Sequence, residues 1–269
     1  MGSIEVAFIG GGAMGEAILS AILDRGLSTP QAVWVSDIKD ERRQHLKQKY
    51  GVTATEDNRK ATHNADVVIL AIKPQNLAEV LPGLEGQLKP AQLVLSIVAG
   101  ARIMTLCQGL GHRHVVRVMP NTPAQIGEGI SVWIATDEVT ETQKKWARAI
   151  LSTMGQEICV DDEKYLDMAT AISGSGPAYF FLFVEALVQS AVNIGLSPDV
   201  ARELVLQTML GSGHLIQKSG KSPAELRKMV TSPGGTTAEA LLQFEKGDFT
   251  NLVSKAVTAA YHRARELGK

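Results

Sequence analysis

Apolar residues in roughly the first 160 positions fall into short runs rich in β-branched side chains, and segments with helical spacing separate these runs. Two runs, VVILAI and LVLSIV, are apolar almost throughout, which is typical of parallel strands covered on both faces. Strands alternating with helices predict an α/β fold with a doubly wound parallel sheet. The predicted strands are Ile4–Ile9, Ala32–Ser36, Asp66–Ile72, Gln92–Val98, Val115–Met119, Ile130–Ala135 and Glu157–Val160, and the predicted helices between them are Met14–Arg25, Asp40–Tyr50, Gln75–Leu81 and Glu141–Met154.

Strand signals stop near residue 161, and only helix signals continue from there. We therefore expect two domains, a sheet domain at residues 1–161 and an all-α domain at residues 162–269. Serine followed by proline, and serine or threonine three residues before glutamate, are typical helix starts. These starts are found at Ser197-Pro198, at Ser222 with Glu225, and at Thr236 with Glu239.

The segment AYFFLFVEALVQSAVNIG, which begins at Ala178, has apolar residues on nearly every face of its predicted helix. Such a helix must be buried, and a small helical domain does not easily cover it alone. We therefore expect the all-α domain to be a dimerisation domain in which a second copy of the chain covers this helix. A central helix in a monomeric bundle is the alternative.

The charge balance, 27 basic against 28 acidic side chains, provides no field that would gather nucleic acid or an anionic membrane surface. The N-terminal residues have no signal-peptide pattern, and no uninterrupted apolar run approaches the length of a membrane span. We expect a cytoplasmic protein whose two cysteines, Cys107 and Cys159, are buried and reduced. The six histidines do not cluster, so no metal site is expected.

The string GGGAMG, from Gly10 to Gly15, follows the first predicted strand and opens the first predicted helix. This context makes it a dinucleotide-binding fingerprint of the Rossmann type. Gly10 permits the tight turn, Gly12 lets the backbone approach the diphosphate, and Gly15 lets helix and strand pack closely. The diphosphate would then lie on free amides at the helix N-terminus. A glycine-rich turn without a ligand is the structural alternative.

Asp37 ends the second predicted strand, 22 residues after Gly15. A carboxylate there would bond the adenosine ribose and repel a 2′-phosphate, which favours NADH. Lys39, Arg42 and Arg43 follow closely and could hold that phosphate, or they could be the solvated face of a surface helix. The cofactor is therefore NADPH or NADH, with the preference open.

The string MVTSPGGTTAEALLQFEKG, from Met229 to Gly247, resembles the signature segment of the pyrroline-5-carboxylate reductase family. Three further segments agree with that family in order and spacing: AIKP at 71–74, VMPNTP at 118–123 and SGSGPAY at 173–179. The resemblance implies an oxidoreductase that reduces 1-pyrroline-5-carboxylate to L-proline with NAD(P)H, the last step of proline biosynthesis. It also implies a homodimer, five of which form a decamer in many members.

The resemblance further implies which residues contact the ligands. The SPGGTT loop comes from the second subunit and closes over the pyrroline ring, and its amides hold the carboxylate. Thr237 bonds near the ring nitrogen and is the candidate catalytic residue. The predicted substrate-binding residues are Glu163, Ser175, Ser232, Gly234, Gly235, Thr236 and Thr237, and the predicted cofactor-binding residues are Gly10, Gly11, Gly12, Ala13, Met14, Gly15, Asp37, Asn58, Ala71, Ile72, Lys73, Pro74, Ser96, Ala99 and Asn121. Asp37, Ser175 and Asn121 are assigned from their positions in the sequence rather than from the resemblance, and Asn121 could contact either cofactor or substrate.

One position departs from the family pattern: Lys228 stands just before the signature, where many relatives have an aspartate. Several candidate residues also have simpler interpretations. Thr236 fits as a helix cap, and Thr237 as an ordinary first-turn residue. Lys73 could be a solvated lysine without a ligand, and Asn121 could simply shape a turn. The glycines of SGSG could mark a kink rather than a ligand contact.

Two other functions share this architecture. Hydroxyacid, 6-phosphogluconate and prephenate dehydrogenases also join a Rossmann domain to helices, but they usually need a lysine or histidine base, and no lysine of the helical region lies in a recognisable base motif. A redox sensor without catalytic activity would bind the dinucleotide but would not need the SPGGTT loop.

Overall fold

The computed structural model describes residues 3–268, and eight of its strands form one sheet. The order across the sheet is β3-β2-β1-β4-β5-β6-β7-β8; β1 to β6 are parallel, β7 is antiparallel to β6, and β8 is parallel to β7. The predicted doubly wound sheet is confirmed. The strands are β1 Val6–Ile9, β2 Val33–Ser36, β3 Thr53–Thr55, β4 Val67–Leu70, β5 Leu93–Ser96, β6 Val115–Met119, β7 Gly129–Ala135 and β8 Gly155–Cys159.

Twelve α-helices are present in the described part of the chain, and the predicted all-α region after the sheet is confirmed. Short 3-10 turns occupy Pro30–Ala32, Pro74–Asn76 and Thr122–Ile126, and a π-helix occupies Thr170–Gly174. The helices are α1 Ala13–Asp24, α2 Asp40–Tyr50, α3 Asn58–Thr62, α4 Leu77–Leu84, α5 Ile103–Leu110, α6 Glu141–Ser152, α7 Lys164–Ala169, α8 Gly176–Asn193, α9 Pro198–Ser219, α10 Pro223–Met229, α11 Thr236–Lys246 and α12 Phe249–Leu267.

Backbone packing divides the chain into two compact units. The sheet unit comprises Met1–Ser175 together with Ala260–Lys269, and the helical unit comprises Gly176–Ala259. The end of α12 therefore packs with the sheet unit, although it is the last element of the chain. The boundary after residue 161 that the sequence indicates stays a prediction.

The core of the sheet unit lies on both faces of the sheet, and β1 shows why. Val6 and Phe8 belong to the cluster on one face, whereas Ala7 and Ile9 belong to the cluster on the other. Successive side chains of a strand point to opposite faces, so a strand covered by helices on both sides needs apolar residues at every position. This explains the unbroken apolar runs of the sequence.

A buried arginine interrupts the apolar sequence of β6. The Arg117 side chain is 4% exposed, and its Nη1 donates to Glu163 Oε1 at 2.6 Å while its Nη2 lies 3.6 Å from Asp167 Oδ1. Arg102, at the start of α5, donates from Nη2 to Asp167 Oδ2 at 2.7 Å. Glu163 Oε1 also accepts the Ile103 amide at 2.9 Å. Two cations and two anions thereby attach α7 to β6 and to the start of α5.

The last turn of α12 contacts the loop after β5. Gly100 has a φ of +75°, and a Cβ there would lie 2.6 Å from the Leu267 carbonyl oxygen, so a side chain is excluded. Arg102 Nε donates to the Gly268 carbonyl oxygen at 3.3 Å. The same arginine that pairs with Asp167 thus also binds the C-terminal turn.

The helical unit leaves many apolar side chains exposed. Phe180, Phe181 and Leu182 of α8 are each at least 60% exposed. Only one small aromatic cluster forms among them in the described residues, in which Phe183, Phe244 and Phe249 have ring centroids 5.5–6.3 Å apart. By length and composition alone, the continuous stretch Lys164–Asn193 could cross a membrane.

The prediction of two buried thiols is wrong for Cys159 and only partly correct for Cys107. Both cysteines are free, but Cys159 is exposed at the end of the edge strand β8, and Cys107 on α5 is half-buried. Strand β3 and helices α3 and α5 are absent from the predicted elements. β3 has three residues and α3 has five, too few for a periodic pattern to be recognised.

Replacing Arg117 with methionine should destabilise the protein, because Glu163 and Asp167 would keep their charges without the buried guanidinium. We expect the free energy of unfolding to fall by about 3–5 kcal/mol. Urea titration at one fixed protein concentration measures this change. Arg113→Met, at a side chain that is 82% exposed, is the matched control and should change stability by less than about 0.5 kcal/mol. Equal stability of the two variants would contradict the role assigned to Arg117.

Candidate dinucleotide and substrate site

The glycine loop between β1 and α1 makes a tight backbone crossing. Gly10 has a φ of +97° and donates its amide to Ser36 O at 2.8 Å, and a Cβ on Gly10 would lie 2.6 Å from Ala71 O. A Cβ on Gly15 would lie 2.6 Å from the Gly10 carbonyl oxygen. Both positions therefore require glycine, because the backbone of the neighbouring strand and turn is too close for a side chain.

Gly12 is different because the space around it is open. It is the N-cap residue of α1, no side chain caps the helix, and a Cβ on Gly12 would meet no atom of the described residues within 4 Å. Gly12 and Ala13 are exposed and Met14 is half-buried. Uncapped amides at a helix N-terminus carry partial positive charge that favours phosphate groups. The loop therefore fits the diphosphate of a dinucleotide.

Gly11 is held from both sides. Its amide donates to Asp37 Oδ2 at 2.8 Å, and its carbonyl oxygen accepts from Arg42 Nε. The other carboxylate oxygen of Asp37, Oδ1, accepts the Lys39 amide at 2.9 Å. Asp37 therefore fixes the glycine loop as well as standing at the end of β2, where a ribose hydroxyl would bind.

The remaining predicted cofactor residues follow the carboxyl ends of parallel strands, which meet at one edge of the sheet. The Ala71 amide donates to Ile9 O at 2.8 Å, so the segment after β4 lies beside the glycine loop. Ser96 ends β5 and is fully buried. The other members of the set at this edge are Asn58 at the start of α3, Ile72, Lys73 and Pro74 after β4, Ala99 after β5, and Asn121 after β6.

Lys73 and Pro74 are exposed at the start of a 3-10 turn. The carbonyl oxygen of the Asn121 side chain accepts the Ile130 amide at 2.9 Å. This bond supports the turn-shaping interpretation of Asn121. It uses the side-chain oxygen but not the side-chain NH₂ group.

The SGSG segment begins inside a π-helix, Thr170–Gly174, rather than marking a simple kink. The Ser175 amide donates to Thr170 O at 2.8 Å, a bond five residues back along the chain, and the Ser173 hydroxyl donates to Ala169 O at 3.0 Å. A Cβ on Gly174 would lie 2.5 Å from Met119 Cε at the end of β6. Within the sheet unit, the π-helix therefore packs against the VMPN segment. Single π-turns in long helices are frequent at functional sites.

Glu163, a predicted substrate residue, is the N-cap residue of α7 and uses Oε1 for Arg117 and the Ile103 amide. Arg102, Arg117 and Asp167, which surround Glu163, belong to no recognisable sequence motif. The one available signal was a charged residue inside the apolar strand VVRVM, which a buried strand tolerates only with a partner.

In the helical unit, the SPGGTT loop is a tight turn before α11. The Gly235 amide donates to Ser232 O at 3.1 Å, and Gly234 has a φ of +68°, as in a type II turn with proline at its second position. The N-cap of α11 is Gly235, without a side-chain cap. The predicted cap role of Thr236 is therefore wrong, because Thr236 is already the first residue of the helix. Thr237 is half-buried in the same turn, and the helix N-terminus is open to an anion.

Residues 3–268 contain no group of three or more histidine, cysteine, aspartate or glutamate side chains that could hold a metal ion.

Comparison with known proteins gives consistent matches over the whole chain. A family model for pyrroline-5-carboxylate reductase dimerisation matches residues 163–267, and one for NADP oxidoreductase, coenzyme F420-dependent, matches residues 5–100. The chain is 40% identical to a pyrroline-5-carboxylate reductase of Synechocystis over 99% of both chains.

Two solved structures are also similar. One is a pyrroline-5-carboxylate reductase from Coxiella burnetii, with a TM-score of 0.91, 38% identity and 99% coverage of both chains. The other is a pyrroline carboxylate reductase from Plasmodium falciparum with NADP bound, with a TM-score of 0.91, 32% identity and full coverage of both chains.

Two alanine substitutions separate the structural glycine from the ligand-facing one. Gly12→Ala should keep the melting temperature of the parent protein, because the added methyl group meets no protein atom, but it should raise the cofactor Kd at least about tenfold by occupying the diphosphate space. Gly10→Ala should lower the melting temperature, because both φ and the contact with Ala71 exclude a Cβ. Thermal melting and calorimetric titration of NAD⁺ measure the two effects. Tight NAD⁺ binding by Gly12→Ala would place the diphosphate elsewhere.

Proposed function

The chain belongs to the pyrroline-5-carboxylate reductase family, and we propose that its sheet unit holds the cofactor while its SPGGTT loop holds the substrate. It is an oxidoreductase that reduces 1-pyrroline-5-carboxylate to L-proline with NAD(P)H, in proline biosynthesis. The observation that best supports dinucleotide binding by the sheet unit is the open, uncapped N-terminus of α1 at Gly12. The rival dehydrogenase and sensor functions do not account for the family match.

The reduced nicotinamide supplies the hydride when it is bound. The amides of Gly12, Ala13 and Met14 bind the diphosphate, and Asp37 accepts a hydrogen bond from the adenosine ribose. The other proposed cofactor residues position the remainder of the dinucleotide along the sheet edge, and they are Gly10, Gly11, Gly15, Asn58, Ala71, Ile72, Lys73, Pro74, Ser96, Ala99 and Asn121.

The turn from Ser232 to Gly235 and the first residues of α11 bind the substrate carboxylate. Support comes from the absence of a side-chain cap on α11, which leaves its first amides for an anion. The Thr237 hydroxyl hydrogen-bonds at the ring nitrogen and favours the protonated imine. Glu163 and Ser175 contribute the other side of the substrate pocket.

We infer that the working enzyme is a homodimer, in which the SPGGTT loop of one subunit serves the cofactor site of the other. A dimerisation-domain match over residues 163–267 and the exposed apolar face of α8 support this arrangement. The dimerisation-domain match includes the apolar stretch Lys164–Asn193, so burial by a second copy explains its composition better than a membrane does. Five such dimers would form a decamer in the cytoplasm.

The loss of one hydroxyl group tests the role of Thr237. NADH oxidation followed at 340 nm with pyrroline-5-carboxylate should show turnover by the parent enzyme. Thr237→Ala should lower kcat by at least about tenfold and leave cofactor Kd within about twofold, because the hydroxyl acts at the ring nitrogen. Thr237→Ser, which keeps the hydroxyl, is the control and should retain most of the activity. A folded Thr237→Ala dimer with parental kcat would remove Thr237 from the mechanism.

Mixed dimers test whether the loop acts between subunits. Gly12→Asp should abolish cofactor binding, and Thr237→Ala should disable the loop, so each homodimer is nearly inactive. A heterodimer of the two has one intact site if the loop acts on the partner, and none if it acts on its own subunit. Co-expression with random pairing should therefore restore about a quarter of the parental activity. No restoration, despite heterodimers shown by differential tagging, would contradict the arrangement.

A further inference from the structure

A second charged cluster lies between α1 and α2, and the proposed function leaves it without a role. Glu16, in the first turn of α1, is 16% exposed and accepts hydrogen bonds from four side chains of α2. Its partners are Arg42 through Nη2, His45 through Nε2 at 3.1 Å, Lys49 through Nζ at 3.0 Å and the Tyr50 hydroxyl at 2.9 Å.

The two carboxylate oxygens of Glu16 have unequal partners. His45, Lys49 and Tyr50 all bind Oε1, whereas Oε2 is bound by Arg42 alone within residues 3–268. Burial would raise the pKa of Glu16, but the four hydrogen bonds outweigh it and hold that pKa far below its ordinary value. Glu16 is therefore an anion throughout the working pH range. Removing Arg42 would leave Oε2 of a mostly buried anion unpaired, which is costly.

Arg42 lies near the Asp37 carboxylate, the proposed partner of the adenosine ribose. Its Nε donates to Gly11 O, and the amide of the same glycine donates to Oδ2 of the Asp37 carboxylate. In dinucleotide-binding folds, a carboxylate here binds the ribose 2′-hydroxyl of NAD, whereas a nearby arginine accommodates the 2′-phosphate of NADP. Arg42 is thus in the right region, but its guanidinium is already bound to Glu16 and to the glycine loop.

Arg43 is also occupied. Its Nη1 donates to the carbonyl oxygens of Asp37 and Ile38 at 2.8 and 3.1 Å, and its Nη2 binds Asp40 Oδ1 at 2.9 Å. The side chain is only 15% exposed. Of the three basic residues after Asp37, both arginines therefore serve the fold, and Lys39 remains on the exposed surface.

We propose that Glu16 is a specificity-determining residue that selects NADH over NADPH by holding Arg42 away from the adenosine 2′ position. The proposal rests on the proposed cofactor site. A 2′-phosphate would have to draw Arg42 from Glu16 and from Gly11, and it would also meet the Asp37 carboxylate. The carboxylate of Asp37 repels the phosphate, and Glu16 withholds the cation that would compensate for that repulsion.

Calorimetric titration of the full-length enzyme with NAD⁺ and with NADP⁺ measures the selection as the ratio of the two Kd values. The parent enzyme should bind NAD⁺ more tightly. Glu16→Gln should shift the ratio toward NADP⁺ by at least about tenfold, because it removes the anion that holds the guanidinium. Adding Arg42→Met to Glu16→Gln should abolish this gain. Lys49→Met removes an exposed cation from the same carboxylate and should leave the ratio within about twofold.

Arg42→Met in the parent background provides a second test that does not depend on Glu16→Gln folding. Because Arg42 is withheld, its removal should leave the NADP⁺-to-NAD⁺ ratio within about twofold. If Arg42→Met lost NADP⁺ binding tenfold while its NAD⁺ binding was unchanged, Arg42 would already hold the phosphate, and the proposal would be overturned. An unchanged Kd ratio in folded Glu16→Gln would also overturn it. Failure of both nucleotides to bind the parent enzyme would instead refute the proposed cofactor site.

Discussion

The guanidinium of Arg117 is the constraint on which the arrangement of the sheet unit depends. A cation in the middle of a buried strand is tolerated only if anions reach it, and both of its anions come from α7, more than forty residues later in the chain. The chain must therefore return to β6 after the sheet is complete. That return places the π-helix at Thr170–Gly174 against Met119, at the edge of the sheet where the strands end.

The same network extends beyond α7. Arg102 joins Asp167 to the C-terminal turn of α12, and Gly100 permits that turn to approach the loop after β5. The loop that follows β5 carries part of the proposed cofactor site. Only Glu163 of this set of ion pairs is a proposed ligand contact. The set can still hold two ligand-contacting segments in place, because Ala99 lies three residues before Arg102 and Ser175 lies eight residues after Asp167.

The parts of this fold that could be predicted depend on local sequence. The glycine loop was predictable because its strand, its glycines and its helix start are consecutive in the sequence and together form a known motif. Strand β3 was missed because three residues carry no usable pattern, and the cap of α11 was misplaced by one residue because glycine, threonine and serine all suit that position. The Arg117 network was missed for the opposite reason, since its partners are distant in sequence and no periodicity connects them.

The charge run after Asp37 shows why a site needs geometry in addition to residue type. Lys39, Arg42 and Arg43 are compatible in sequence with both a phosphate site and a solvated helix face, and neither description fits the arginines. Arg42 instead links α2 to the glycine loop and to Glu16, a glutamate 26 residues earlier inside the fingerprint helix. Arg43 binds the turn before its own helix and Asp40 at the start of that helix. In the proposed selection, the cofactor choice of this chain depends on Arg42 being already paired when the nucleotide arrives. The number of basic residues near the second strand is therefore a poor guide to cofactor choice, because a side chain that is paired within the protein is not free to bind a 2′-phosphate.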